Sequence, residues 1–317
     1  MGIAWWWNST HKEIMIRFSV IVPCFNTGQF IGSCLESILN QTVQPHEVIV
    51  IDDGSTDGSL NIIQSSRLPL RILKSPRKGG AGARNIGIRA AESEWLAFLD
   101  ADDVWYPNHL ERSLEMIGRF GPRGCINHYD HITLDGGLVR RECGGLDTVI
   151  DGFGLDEYIE HYLKYRHFVG MSACLVETRR ALEVGGLDES QVYRHDIEFW
   201  LRAVHEQKWV FDPVATSAYR KACPGSLSKN YADATYDGFR AFLRHRDKVS
   251  NRQAYESVLQ ERARSAIFHS FASKDTCKLQ RTYTAASGYL SRRDKLLFGF
   301  LYRFPWMFPV SRSVKLV

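Results

Sequence analysis

From Phe18 to Asp103, short apolar runs alternate with amphipathic stretches, and several of the apolar runs end in a cluster of polar residues. "FSVIVP" reads as a strand and "QFIGSCLESILNQ" as a helix, with an apolar stripe at Phe30, Ile31, Cys34, Leu35, Ile38 and Leu39. "EVIVIDD" is the next strand and "GSLNIIQSS" the next helix, and "LRILKS", "GAGARNIGIRAAES" and "WLAFLD" continue as strand, helix and buried strand. This pattern predicts an α/β fold, a mostly parallel sheet covered by helices on both faces. Ligands of such sheets sit beyond the carboxyl ends of the strands. That is where Pro23 to Asn26, Asp52 to Ser55 and Asp100 to Asp103 fall, so three strand ends carry polar groups toward one crevice.

The third cluster sets the chemistry. Crowded carboxylates are unfavourable unless a cation answers them. In an extended chain Asp100 and Asp102 project to one side, which suits Mg²⁺ or Mn²⁺ sharing its shell with phosphate oxygens. The plain alternative is a helix start, since aspartates cap helices well. "IDDGSTDGS" is either simple turn chemistry or a carboxylate placed to accept hydrogen bonds from a ribose or base. "GGAGARNIG" approximates a dinucleotide fingerprint, but Asn85 stands at the third glycine and the acidic residue expected about 20 positions on is missing. The glycines instead suit close approach of backbone amides to a diphosphate, with Arg84 as a nearby cation. Further on, "RHDIEFWLRAVHE" reads as an amphipathic helix carrying Asp196 and Glu198.

Composition excludes other classes. The 317 residues are 44% hydrophobic and 24% charged, which fits a folded globular chain. The seven cysteines form no Cys-x-x-Cys pair and several lie in apolar runs, favouring reduced thiols in a cytoplasmic protein over disulfides or zinc. His128 and His131 share one strand on opposite faces, a poor metal pair, and no Gly-x-Ser-x-Gly elbow occurs. Apolar runs stay shorter than the roughly 18 residues of a membrane span. "MGIAWWWNSTHKE" lacks the features of a signal peptide, so residues 1–15 read as a loose extension. The net charge of +4 is concentrated: residues 291–317 hold six basic side chains against Asp294, a local +5 that leaves the remainder at −1. Nucleic acid is therefore a weak partner. Aromatics at Phe298, Phe300, Tyr302, Phe304, Trp306 and Phe308 among those charges suit peripheral contact with an anionic membrane, at the inner face of the cytoplasmic membrane.

In order and spacing, "SVIVPCFN", "SILNQT", "EVIVIDDGSTDGS", "KGGAGARNIGIRAAESEWLAFLDADD", "VGGLDES" and "HDIEFWLRA" resemble the family-2 glycosyltransferases of GT-A fold, over about Phe18 to Ser228. The resemblance implies an inverting transferase that moves a sugar from a nucleotide-diphosphate donor to a saccharide or lipid-linked acceptor, in surface polysaccharide or glycoconjugate synthesis. It implies that Pro23 and Asn26 border the base, Asp53 contacts the nucleotide, Asp100 faces the ribose and shares the metal, Asp102 coordinates a Mn²⁺ or Mg²⁺ ion on the diphosphate, and Asp196 is the catalytic base. Arg84 and Arg220 would face the diphosphate. Asp103 is left as a helix cap, and Glu198 as one half of a structural ion pair. Two departures stand out. His195 precedes the base where an acidic residue is common, and "YRKACPGS" has Ala222 where a lid histidine often completes the metal site. Domain limits are set at 16–228 for the transferase domain and 229–317 for a helical C-terminal region with its basic aromatic tail. The rivals are a nucleotidyltransferase, which should carry a basic glycine-rich signature after its first strand, and a degenerate nucleotide-sugar-binding module, suggested by Ala222.

Overall fold

The computed structural model describes residues 16–142, 148–165, 169–221, 223 and 230–303. The expected N-terminal extension, Ala222 with the Pro-Gly-Ser segment after it, and the aromatic tail from Phe304 lie outside these residues.

The first half winds as the alternation requires: β1 (Phe18–Cys24), α1 (Ile31–Leu39), β2 (Glu47–Asp52), α2 (Ser59–Gln64), β3 (Arg71–Lys74), α3 (Gly79–Ala90) and β4 (Trp95–Phe98). Then follow β5 (Val104–Trp105), α4 (His109–Phe120), β6 (Gly124–Ile132), β7 (Leu138–Val139), β8 (Ile150–Phe153) and α5 (Leu155–Tyr165). The domain continues through β9 (Cys174–Glu177), α6 (Thr178–Glu183), α7 (His195–Val204) and β10 (Trp209–Arg220). The remainder is helical: α8 (Tyr231–Arg244), α9 (Arg252–Ala272), α10 (Thr276–Ala286) and α11 (Arg292–Arg303).

The strands form one mixed sheet in the order β3-β2-β1-β4-β9-β6-β10-β5, with β7 beside β6 and β8 beside β10. Strands β3, β2, β1 and β4 run parallel, and β9 enters antiparallel between β4 and β6. Alternation along the strands divides the apolar side chains between two cores. Val20, Val22, Val48 and Val50 face α1 and α4, whereas Ile21, Ile49 and Ile51 join a second core containing Phe199, Trp200, Phe239, Tyr255 and Leu259. That second core runs without a break from the sheet into α8 and α9. Gly87 lets α3 lie close to β1, since a Cβ there would sit 2.6 Å from the Ile21 side chain. Six described cysteines are free thiols, five of them buried. Among the described residues no helix is long and apolar enough to cross a membrane.

Candidate active site

The carboxyl ends of β1, β2 and β4 meet on one side of the sheet, and their polar clusters are bound to one another. Asn26 holds a left-handed backbone (φ 51°). Its Oδ1 accepts from the Thr56 amide at 2.8 Å and its own amide donates to Ser55 Oγ at 3.1 Å, tying the two loops together. Pro23 is half-buried in β1 opposite Ile51. Asp53 is more engaged than its expected nucleotide role suggests. Its oxygens accept from the Lys78 amide (2.9 Å), the Gly79 amide (2.8 Å) and the Ser75 hydroxyl, so its carboxylate caps the start of α3. The Gly79 amide, the first of the glycine-rich stretch read as open to a diphosphate, is thus spent on Asp53.

The three aspartates after β4 occupy a tight turn rather than a continuing strand, closed by the Asp103 amide donating to the Asp100 carbonyl at 2.9 Å. One oxygen from each carboxylate falls within 4.8 Å of the others, with Asp100 and Asp102 half-buried and Asp103 buried. Asp103 does not cap a helix. Residues 104 and 105 first pair with β10 as β5, and α4 begins only at His109 after Asn108, so the cap position has moved downstream. Asp103 instead accepts from Ser172 Oγ (2.6 Å) and the Arg220 amide (2.8 Å), locking the turn to the end of β10. Burial, with Asp100 as a second negative charge, raises the pKa of Asp102; burial and both neighbours raise that of Asp103 well above the usual range.

The cations are placed by the sequence motifs around them. Arg84 on α3 is buried; its Nη2 pairs with Asp100 and its Nη1 lies 3.1 Å from His195 Nε2. A guanidinium can only donate, so Nε2 accepts, which leaves the His195 Nδ1 proton for the Val192 carbonyl at 3.2 Å. Burial and the Arg84 charge lower the histidine's pKa, so the ring is neutral. An imidazole here accepts from Arg84 without adding the charge that an acidic residue would bring. Gly80 makes room for the pair: a Cβ would fall 2.9 Å from Arg84 Nη1 and 3.6 Å from His195 Cε1. Arg220 is also buried, with Nε on the Asp102 carbonyl (2.8 Å), Nη1 on the Thr133 carbonyl (3.1 Å) and its guanidinium over the Phe30 ring. Arg84 thus joins the aspartate turn to the first residue of α7, and the next residue is Asp196.

Asp196 is half-buried in the first turn of α7, and among the described residues its carboxylate makes no hydrogen bond or ion pair. Glu198, two residues on, is spent on Arg202 (2.6 Å) and His245 (3.5 Å). Sequence reading missed three residues that hold the site. Ser172 accepts from the Asp100 amide (3.0 Å) while donating to Asp103. Asn85 binds both the amide and the carbonyl of Leu187 at 2.8 Å, clamping the Gly-Gly-Leu turn before α7. Its place in a broken fingerprint was the only signal. Cys223, just beyond β10, donates to the Arg220 carbonyl at 3.8 Å, and burial together with the nearby Asp102 charge pushes its thiol up to about 12.

Comparison with known proteins agrees with this arrangement. The sequence model of the family described as Glycosyl transferase family 2 matches residues 19–173, from β1 through the aspartate turn to Ala173. Residues 19–173 are thus a glycosyltransferase family 2 domain. The chain is 37% identical over 123 residues to Glycosyltransferase GlyG of Streptococcus pneumoniae, covering 37% of this chain and 41% of that protein. It is 30% identical over 199 residues to the amylovoran biosynthesis glycosyltransferase AmsB of Erwinia amylovora, covering 59% of this chain and 64% of that protein. The chain spans about two fifths of the length of the relatives it matches first, 41% and 38%. In fold it is similar to S. aureus TarS 1-349 in complex with UDP-GlcNAc, with a TM-score of 0.68 at 18% identity over 92% of this chain and 87% of that one. It is also similar to the mannosyltransferase PcManGT from Pyrobaculum calidifontis in complex with GDP-Man and Mn²⁺, with a TM-score of 0.58 at 17% identity over 90% and 79%. The GT-A glycosyltransferase domain therefore accounts for the mixed sheet, the aspartate turn and the helix that bears Asp196.

The donor set suits a hard divalent ion. Asp100 and Asp102 are half-buried carboxylates on a turn with three negative charges, and Arg84 pairs with one of them. Burial first, and the neighbouring carboxylates second, raise the pKa of Asp102 and Asp103.

Proposed function

We propose that this chain is an inverting glycosyltransferase, moving a sugar from a nucleotide-diphosphate donor to a hydroxyl of a saccharide or lipid-linked acceptor. The observation that carries the reading is the Arg84 bridge, which brings Asp100 and the start of the Asp196 helix onto one guanidinium. The nucleotide sugars named with TarS and PcManGT support the donor class, and the Mn²⁺ named with PcManGT supports the metal.

Asp102, with Asp100 beside it, would hold a Mn²⁺ or Mg²⁺ ion, which neutralises charge on a departing diphosphate. Arg84 and Arg220 supply fixed positive charge next to that turn in a partly desolvated setting, where it acts more strongly than in water. Asn26 and Pro23 shape the base end, and Asp53 acts there by fixing the start of α3. Asp196, whose lone pairs are not committed elsewhere among the described residues, takes the proton of the acceptor hydroxyl as general base. The hydroxyl oxygen attacks the anomeric carbon opposite the diphosphate, so one in-line displacement inverts the centre. We place the protein at the inner face of the cytoplasmic membrane, held by α11 and the basic segment after it. The name of AmsB supports a role in surface polysaccharide synthesis.

The test is a thermal-shift panel of UDP, GDP, dTDP and CMP, each with and without Mn²⁺, on the parent chain and Asp102→Ala. A ligand that binds only the folded state raises the melting temperature. One diphosphate stabilising the parent in a metal-dependent way, with the gain lost in Asp102→Ala, is the expected result. No stabilisation of a well-folded parent by any of the four would overturn the reading.

A further inference from the structure

Arg84 is the cation set beside three clustered carboxylates, and the groups that hold it decide how much positive charge the site keeps. Its side chain is 6% exposed, and its Nε, buried as well, meets no acceptor among the described residues. Nη2 pairs with Asp100, and Nη1 donates to His195 Nε2 at 3.1 Å. His195 is itself only 8% exposed and is fixed by its second ring nitrogen, which donates to the Val192 carbonyl at 3.2 Å. Gly80 leaves the space in which the two side chains meet. Held this way, the neutral imidazole gives Arg84 a hydrogen-bond acceptor and no negative charge. A carboxylate in the same place would satisfy the same N–H and bring a charge with it. Arg84, Asp100 and His195 are therefore neutral as a group, where a carboxylate at residue 195 would leave the group net negative.

We propose that His195 is a positioning residue that holds Arg84 against Asp100 without adding negative charge, so that the site binds the donor's diphosphate with less help from a divalent ion than a carboxylate at residue 195 would allow. The inference rests on the donor reading above. The charge that attracts a diphosphate repels a divalent cation, so a negative charge added at residue 195 must move the two affinities in opposite directions. A residue that only packed would move them together, because a displaced aspartate turn loses both ligands.

Calorimetry on the full chain measures Mn²⁺ alone, and UDP, GDP and dTDP each with and without Mn²⁺. One diphosphate should bind the parent measurably without metal and more tightly with it. In His195→Glu, Mn²⁺ should bind about tenfold more tightly and that diphosphate, without metal, about tenfold more weakly. His195→Asp, with a shorter side chain, is measured alongside and should move both affinities the same way. His195→Gln, whose side-chain oxygen can still accept from Arg84, should stay near the parent in both. If the two carboxylate variants leave both affinities unchanged or weaken them together, the donor site stands and the role given to His195 is wrong. The same holds if a diphosphate binds the parent only when Mn²⁺ is present. If the parent binds none of the three diphosphates under either condition, the donor reading falls and this inference falls with it.

Discussion

Asp196 is distinguished by what it lacks. Glu198 on the same helix is consumed by Arg202 and His245, and Asp100 by Arg84, yet the Asp196 carboxylate has no partner among the described residues. Asp196→Asn should therefore lower turnover by about 10²- to 10⁴-fold, the usual range for loss of a general base, while nucleotide-induced stabilisation is retained. Rates of nucleotide release set beside the same thermal shifts check this. A second residue governs acid stability. His109 is fully buried, stacks on Trp105 and meets Thr216 Oγ1 at 2.8 Å, and burial drives its pKa down to about 3. The folded chain keeps it neutral, while in the unfolded chain it begins to bind a proton near pH 6.5. Its contribution is full above that pH and fades by about 1.4 kcal/mol per pH unit as pH falls toward 3. Urea midpoints at pH 7 and 4.5 should accordingly drop more steeply for the parent than for His109→Gln. At this scale the sequence pointed to Asp102 through its cluster of carboxylates and to Asp196 through the order of family motifs. It was silent on Ser172 and Asn85, whose roles come from partners 69 and 102 positions away.

Among the elements, α3 and α11 show two uses of amphipathic sequence. The glycine-rich start of α3 was read as a place for diphosphate oxygens, but in the fold Asp53 takes the first amides and Gly80 serves to admit Arg84 and His195. Helix α11 leaves Leu296 79% and Leu297 52% exposed beside Arg292, Arg293 and Lys295. Apolar side chains flanked by basic ones suit the headgroup region of an anionic bilayer. The full chain should co-sediment with vesicles containing phosphatidylserine, and Leu296→Glu with Leu297→Glu should weaken that binding without moving the melting temperature. Equal sedimentation of the variant, or no dependence on anionic lipid, would count against the membrane role. The aspartate turn illustrates the limit of periodicity. An alternating strand pattern continued through Asp102 predicts a shared face, yet one turn hydrogen bond at Asp103 gathers three carboxylates instead of two.

In the whole molecule, the helices after β10 close the core of the sheet. Phe239, Phe242, Tyr255 and Leu259 belong to the same apolar cluster as Ile21, Phe98, Trp200 and Trp209. A chain ended at residue 228 would expose that face. It should elute as aggregate and lose its near-ultraviolet dichroism, whereas a compact monomer would show that the first 228 residues fold alone. The parallel half of the sheet, its flanking helices and the aspartate clusters at strand ends could be read from the sequence, because burial on a pleated strand repeats every two residues and polar clusters end it. Local pattern also pointed to Asp100 and Asp102 as a candidate metal pair, and the family resemblance to Asp196 as a candidate base. The tertiary structure decided the rest. Only the fold brings Arg84 between Asp100 and His195, spends Asp53 on α3, and buries Asp103 against β10. Each is a contact between segments far apart in the chain, and a hydrogen bond depends on where its two ends arrive, which no local periodicity encodes.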